Sequence, residues 1–377
     1  MQSLTTLAAF LLTLGILVSF HEYGHFLAAR FCGVKVLRFS VGFGKPLFTH
    51  RARNGTEWVL AGIPLGGYVK LLDGRDPSQI VDPADCLSTF AVKPLWQRSL
   101  IVAAGPIANF VLAIVLFAML YFHGVPQLAA RIQAPPEQSI AAKLGLTSGD
   151  RVIGWKSISS DAIESSNLEG FDEVLSWNGL RWKLLDALTA DRGFILALQD
   201  PNGGQFVKSF PRDVLPKMQA NSDPLLDLGI LPLVSPKPDI FELKLGLIDA
   251  GTYAIDRVYL ITKVSFRMML GLFTGSTSLN QLGGPLSIAD MAGKTAQVGW
   301  QPFIAFLGLM SISIGLLNLL PFPMLDGGQL LYDAWELVAG KRISISMQEK
   351  LQKVGFSLLI AFSLLAFFND LKRYLIP

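Results

Sequence analysis

Long unbroken apolar runs, rather than short alternations of apolar and polar positions, dominate this chain. Residues 4–20, 100–122 and 303–320 each form such a run, and about 20 apolar residues in a helix cross a hydrocarbon core about 30 Å thick. Residues 356–368 make a fourth, shorter run that reaches spanning length with its flanks. No Lys or Arg precedes the first run and no small-x-small cleavage site follows it, so it is read as a retained helix rather than a signal peptide. Residues 247–275 are apolar too, yet they contain Asp249, Asp256, Arg257, Lys263 and Arg267. Each charge at the centre of a spanning helix costs about 2.5–3.5 kcal/mol, so this segment is expected to lie on the membrane surface as an amphipathic helix. Between the second run and that segment the pattern changes. Strand-like pieces at 151–155 and 193–198, a helical piece at 180–188 and turns rich in Gly, Pro and Asp predict a small mixed β domain, with linkers at 133–137 and 231–239.

Composition agrees with a membrane protein. Hydrophobic residues make up 51% of the 377 and charged residues 16%, against about a quarter charged in soluble domains, and the mean hydropathy is +0.44. A net charge of +3 scattered among apolar runs excludes a nucleic-acid partner, which needs clustered Lys and Arg. Basic residues including Arg30, Lys35, Arg38, Lys45, Arg51, Arg53, Lys70, Arg75 and Lys93 outnumber acids between the first two runs, and Lys341, Arg342, Lys350 and Lys353 lie between the last two. The positive-inside rule makes these loops cytoplasmic, so both termini and the β domain are expected outside. Cys32 and Cys86 then face a reducing compartment, and no disulfide is expected.

The candidate chemistry is concentrated. His21-Glu22-Tyr23-Gly24-His25 ends the first apolar run; on a helix, residues four apart share a face, so both imidazoles can bind one zinc while Glu22 addresses metal-activated water. Ionisable side chains at such a depth are costly and mark function. A catalytic zinc needs a third protein ligand and an open position. Asp326, which follows the helix-breaking Pro321 and Pro323 at the end of the third run, is the candidate, its alternative being a helix cap. By the topology above, His21 and Asp326 reach a similar depth near the cytoplasmic face. With these ligands Glu22 is the general base and not a ligand.

Five blocks in order, HEYGH at 21–25, GIPLGGYVKLLD at 62–73, VAAGPIANFVLAI at 102–114, LGGPLSIA at 282–289 and NLLPFPMLDGG at 318–328, resemble the site-2 protease family of intramembrane zinc metalloproteases, in particular its gammaproteobacterial branch that regulates the sigma-E stress response. The resemblance implies one catalytic Zn2+, a membrane-inserted β-hairpin formed by 62–73, and substrate contacts from Asn318, Pro321, Pro323, Gly66, Gly67 and Tyr68. It further implies a bacterial inner-membrane location and single-span substrates, including a pre-cleaved anti-sigma factor and remnant signal peptides. Residues 139–152 are similar to the groove region of the family's PDZ domains, which take a peptide or C-terminus by strand addition; the space here fits one such domain where close relatives carry two.

The expected fold is therefore a polytopic α-helical membrane protein of four spans with an inserted hairpin and a PDZ-like domain. Its segments are a first span with HExxH at 1–30, a cytoplasmic loop with the hairpin at 31–98, a second span at 99–123 and the periplasmic PDZ-like domain at 126–240. A surface helix and loop at 247–299, a third span with the LDG motif at 300–340 and a fourth span with the C-terminus at 341–377 follow. Two other readings use the same residues: a zinc-binding transport or sensor protein, which has no need of Glu22, and a catalytically inert PDZ scaffold, which would lose all function with residues 126–240.

Overall fold

The computed structural model describes residues 2–74, 82–158, 170–216, 224–234, 239–275 and 283–375. Arg75, the centre of the 231–239 linker and Leu282 lie outside them. The chain divides into two compact units, residues 1–117 with 283–377, and residues 118–282.

The first unit is built on helices. α1 (Gln2–Phe31), α2 (Leu95–His123), α8 (Trp300–Asn318) and α10 (Ile345–Leu375) contain the four segments that, among the described residues, are long and apolar enough to cross a membrane. α1 carries His21 and His25 in its C-terminal half. α2 contains Pro106, whose missing N–H leaves the carbonyl four residues earlier without its usual donor. α8 stops at Asn318 because Pro321 and Pro323 cannot continue a helix, and the chain restarts as α9 (Asp326–Ala339). This break turns the start of α9 back on the end of α8. A Cβ on Gly327 would lie 2.2 Å from the Leu320 carbonyl oxygen, and one on Gly328 2.2 Å from that of Phe322, so only glycine fits at either position.

Between α1 and α2 run β1 (Val36–Arg51) and β2 (Glu57–Leu71), an antiparallel pair with several bulges. The pairing curls on itself: residues 36–41 have 67–71 on one side and 57–60 on the other, and 57–60 also face 48–51. The reversal between the strands falls at 52–56, where Gly55 N–H donates to the Ala52 carbonyl. Segment 62–73, expected to be a hairpin by itself, is instead the returning arm, and Gly66 and Gly67 lie within β2. Glycine is required there because β2 packs against aromatic and backbone atoms: a Cβ on Gly66 would lie 2.2 Å from the Phe43 ring.

Where a loop was expected before residue 299, a further helix, α7 (Pro285–Val298), packs on α1. Small residues make the approach: Ala292 is fully buried with Ala9 and Phe306, and a Cβ on Gly293 would meet the Thr6 side chain at 2.2 Å. The N-terminus of α7 is capped from α10. Buried Asp370 accepts from the amides of Gly284, Leu286 and Ser287, each at 3.0 Å, and from the Ser287 hydroxyl.

The second unit is a small α+β domain. Its antiparallel sheet has the order β5 (Asp172–Glu173), β4 (Arg151–Ser157), β6 (Phe194–Gln199), β7 (Gln205–Phe210), and central β6 is buried along nearly its whole length. Trp155, Phe194 and Phe210 stack through this sheet at centroid distances of 4.6 and 4.7 Å. α4 (Trp177–Thr189) closes the core with Leu180 and Leu184. A second pair, β3 (Val125–Leu128) with β8 (Ile240–Leu243), brings the entering and leaving strands together, and α3 (Ile140–Lys143) and α5 (Pro224–Leu228) complete the unit. The GLTSGD turn at 145–150 is held by Asp150, which accepts from the Thr147 amide at 2.8 Å.

α6 (Leu247–Thr274) follows, and it is not among the helices apolar enough to span. Its charges have a use that the sequence reading did not foresee. Buried Arg257 donates to the Asn178 side chain at 2.8 Å, and Lys263 and Arg267 pair with Asp186 at 3.0 and 2.6 Å, so three cations dock α6 on α4. The opposite face leaves Ile248, Ile255, Tyr259, Phe266 and Leu270 exposed.

Candidate active site

His21 and His25 lie one turn apart on α1, their rings edge-on at 4.8 Å between centroids. Asp326, the first residue of α9, points between them. Its Oδ2 lies 3.1 Å from His21 Nε2 and 3.4 Å from His25 Nε2, and the two Nε2 atoms are 3.2 Å apart. Zinc bonds of about 2.0–2.2 Å to N and O, spread tetrahedrally, put neighbouring donor atoms about 3.3–3.6 Å from each other. The three atoms have nearly that spacing.

Their chemistry fits a cation as well. His25 Nδ1 is 2.8 Å from the Ile101 carbonyl; a carbonyl only accepts, so Nδ1 carries the hydrogen and the neutral ring turns a lone pair on Nε2 toward the other two. Asp326 Oδ2 is buried and has no hydrogen-bond donor. Electron pairs converging at 3.1–3.4 Å repel unless a positive charge lies among them, and among the described residues these three form the group whose spacing could hold a metal ion.

α2 makes the site possible. It passes so near α1 that a Cβ on Gly24 would lie 2.3 Å from the Ala104 carbonyl oxygen, and one on Gly105 2.2 Å from His25 Nε2 and 2.9 Å from His21 Cε1. Two glycines, one per helix, permit this approach. Four residues to either side of Gly105 on the same face, α2 presents the Ile101 carbonyl to His25 and the Asn109 side chain to His21, the latter at 3.3 Å.

α9 is held in its rotation by a buried charge network two turns beyond Asp326. Arg98, 2% exposed, donates to Glu336 at 2.7 Å and lies 4.0 Å from Asp333, which also accepts from Ser99 at 2.8 Å. Burial pushes the Asp333 carboxyl above its ordinary range despite these partners. For Glu336 burial acts in the same upward direction, but the Arg98 and Arg342 hydrogen bonds prevail and hold it below.

A cleft of about 380 Å³ opens on the group, lined by His21, Glu22, His25, Tyr68, Asn318 and Asp326 among others. β2 borders it. A Cβ on Gly67 would sit 3.1 Å from Glu22 Cγ, and Val69 lines the cleft together with Glu22. The remaining expected contacts lie apart from this lining: Gly66 faces Phe43, Pro323 packs beside Gly355 of α10, and Pro321 sits in the break between α8 and α9. Ile101, Gly105 and Asn109 were not singled out from sequence. Gly105 and Asn109 had one signal, the GPIAN block, which hydropathy reads as plain spanning helix, and Ile101, which contributes its backbone carbonyl, had none.

Comparison with known proteins accords with this geometry. The profile of peptidase family M50 matches residues 9–362. The chain is similar to a protein of Ralstonia nicotianae named as a candidate zinc metalloprotease, 34% identical over 98% of each chain. It is similar also to protease RseP of Yersinia pestis, 33% identical over 99% of this chain and 100% of the relative, and to the regulator of sigma-E protease RseP of Escherichia coli, 31% identical over 97% and 98%. These alignments run over 465, 457 and 450 positions, more than 70 beyond the 377 residues here, so the relatives carry internal segments that this chain lacks. A profile match over nearly the whole length and relatives above 30% identity from end to end have one meaning: the chain belongs to peptidase family M50.

Proposed function

We propose that this peptidase is a zinc metalloendopeptidase that cleaves single-span membrane proteins within or near the bilayer, with His21, His25 and Asp326 as ligands and Glu22 as general base. The observation that carries the reading is the convergence of three donor atoms at 3.1–3.4 Å, with the half-buried Glu22 next to His21 on the same helix and lining the same cleft. When bound, zinc supplies Lewis acidity, which makes water acidic enough to attack a peptide carbonyl near neutral pH. Glu22 takes the proton of the attacking water and returns it to the leaving amine. Asn318 and Tyr68, which share the cleft with Glu22, are suited to hold the substrate backbone. A helical peptide bond is shielded, so the substrate has to be extended before attack, and β2 beside Glu22 offers a strand against which an extended segment can lie.

The substrates are read as those the family resemblance implies, a membrane-bound anti-sigma factor already trimmed and remnant signal peptides; a relative named as a regulator of sigma-E protease and a site set in a unit rich in apolar helices support membrane-protein substrates. The inserted domain of residues 126–240 is read as one PDZ-like filter that takes a peptide or C-terminus, and the additional length of the relatives accords with a second such domain there. In this reading the protein sits in the bacterial inner membrane with both termini periplasmic, and β1–β2 dips into the bilayer with Phe43, Leu47 and Phe48 exposed toward lipid.

Purified protein incubated with a panel of single-span substrates, with and without a zinc chelator, tests this directly. The wild type is expected to cut at a defined position, read by mass spectrometry, and to stop on chelation. Glu22→Gln is expected to keep its zinc and lose at least about 100-fold in rate; unimpaired cleavage by that variant would refute the assigned base.

A further inference from the structure

Asn109 is fully buried in α2, and its surroundings fix its place. Its backbone carbonyl accepts the Ser311 hydroxyl of α8 at 2.7 Å, and a Cβ on Gly315 would lie 3.4 Å from its own Cβ. Its side chain is turned to α1, with Nδ2 3.3 Å from His21 Nδ1 and Oδ1 buried without a donor.

That orientation conflicts with metal binding. For Nε2 of His21 to bind a metal it must be unprotonated, so Nδ1 carries the ring hydrogen and the group facing Nδ1 has to accept. The two ends of a carboxamide have the same shape, and which is oxygen follows from the hydrogen-bond partners. Reversing the Asn109 amide gives the orphaned oxygen a donor and gives His21 the required acceptor. Asn109 then does for His21 what the Ile101 carbonyl does for His25, and the two supports lie on one face of α2, eight residues apart, with Gly105 between them.

We propose that Asn109 is a positioning residue for His21: its amide oxygen accepts from Nδ1–H and fixes the tautomer and ring rotation that present Nε2 to zinc. The inference rests on the zinc reading above. Partners in this position are worth about 10–100-fold in metal affinity.

The test uses the full-length purified chain and reads zinc affinity by competition with a chelator, independently of cleavage. Asn109→Leu, similar in volume but without an acceptor, is expected to weaken zinc about 10–100-fold, and Asn109→Ala to do the same should Leu prevent folding. Asn109→Asp keeps an acceptor and is expected to retain affinity near wild type. Ser311→Ala, which removes the neighbouring helix contact without touching His21, is expected to leave affinity unchanged. Equal affinity in wild type and Asn109→Leu overturns the proposal, as does Asn109→Asp binding as weakly as Asn109→Leu, which would show the amide acting through Nδ2 or through packing. A wild type that binds no zinc overturns the zinc reading itself, a separate outcome from wild-type binding that Asn109 does not influence.

Discussion

At the scale of single residues the site depends on atoms that are missing as much as on those present. Gly105 shows this most sharply, because a methyl group there would occupy the space of both imidazole edges, 2.2 Å from His25 Nε2. Gly105→Ala should be mildly favourable for an isolated helix, by about 1 kcal/mol. It is expected nonetheless to lower zinc affinity and cleavage at least about 100-fold, since a 1 Å displacement of a catalytic group costs that much. Chelator competition beside thermal unfolding checks it; normal affinity and activity would show that α2 yields where the structure has it rigid. The same position explains what sequence reading could and could not find. Two histidines four apart around a glutamate are legible because ligation demands particular side chains at a particular spacing. A glycine chosen for lacking a side chain, or an asparagine buried in a spanning helix, has no such pattern, and only the crossing of α1 and α2 gives either one a meaning.

At the scale of elements, α9 has to deliver Asp326 to a helix far away in sequence, and the means are electrostatic. Arg98 and Asp333 are almost wholly buried, and removing one member of such a pair leaves the other charged in an apolar surround, at a cost of about 3–5 kcal/mol. Arg98→Met is therefore expected to destabilise the protein by about that amount and to weaken zinc binding, with both losses reduced when Asp333→Asn is added. Thermal unfolding and metal content of the single and double variants measure it, and additive losses would deny the coupling. The spans themselves were legible, because a hydrocarbon layer requires a length and a composition that few other contexts do. α7 was not. Its burial rests on Ala292 and Gly293 meeting α1 and on a capping carboxylate 86 residues beyond Gly284, Asp370, none of which raises hydropathy. For α6 the charges set it apart in composition from the candidate spans, but their partners, Asn178 and Asp186, could be assigned only once α4 was in place.

At the scale of the whole molecule the chain is a helical unit carrying the candidate site and an inserted α+β unit between the second and third apolar helices. Every residue of the candidate site belongs to the first unit, though the converging side chains come from α1, α2 and α9, some 300 residues apart at the extremes. The central claim is that His21, His25 and Asp326 close on a single zinc. The most direct measurement is zinc content and X-ray absorption at the zinc edge of the purified Glu22→Gln chain, alone and with Asp326→Ala added. The account predicts one zinc per chain, with two imidazole nitrogens and oxygen donors at about 2.0–2.2 Å, and loss of the ion or of one oxygen donor when Asp326 is removed. Full zinc content with an unchanged coordination shell in the absence of Asp326 would contradict it.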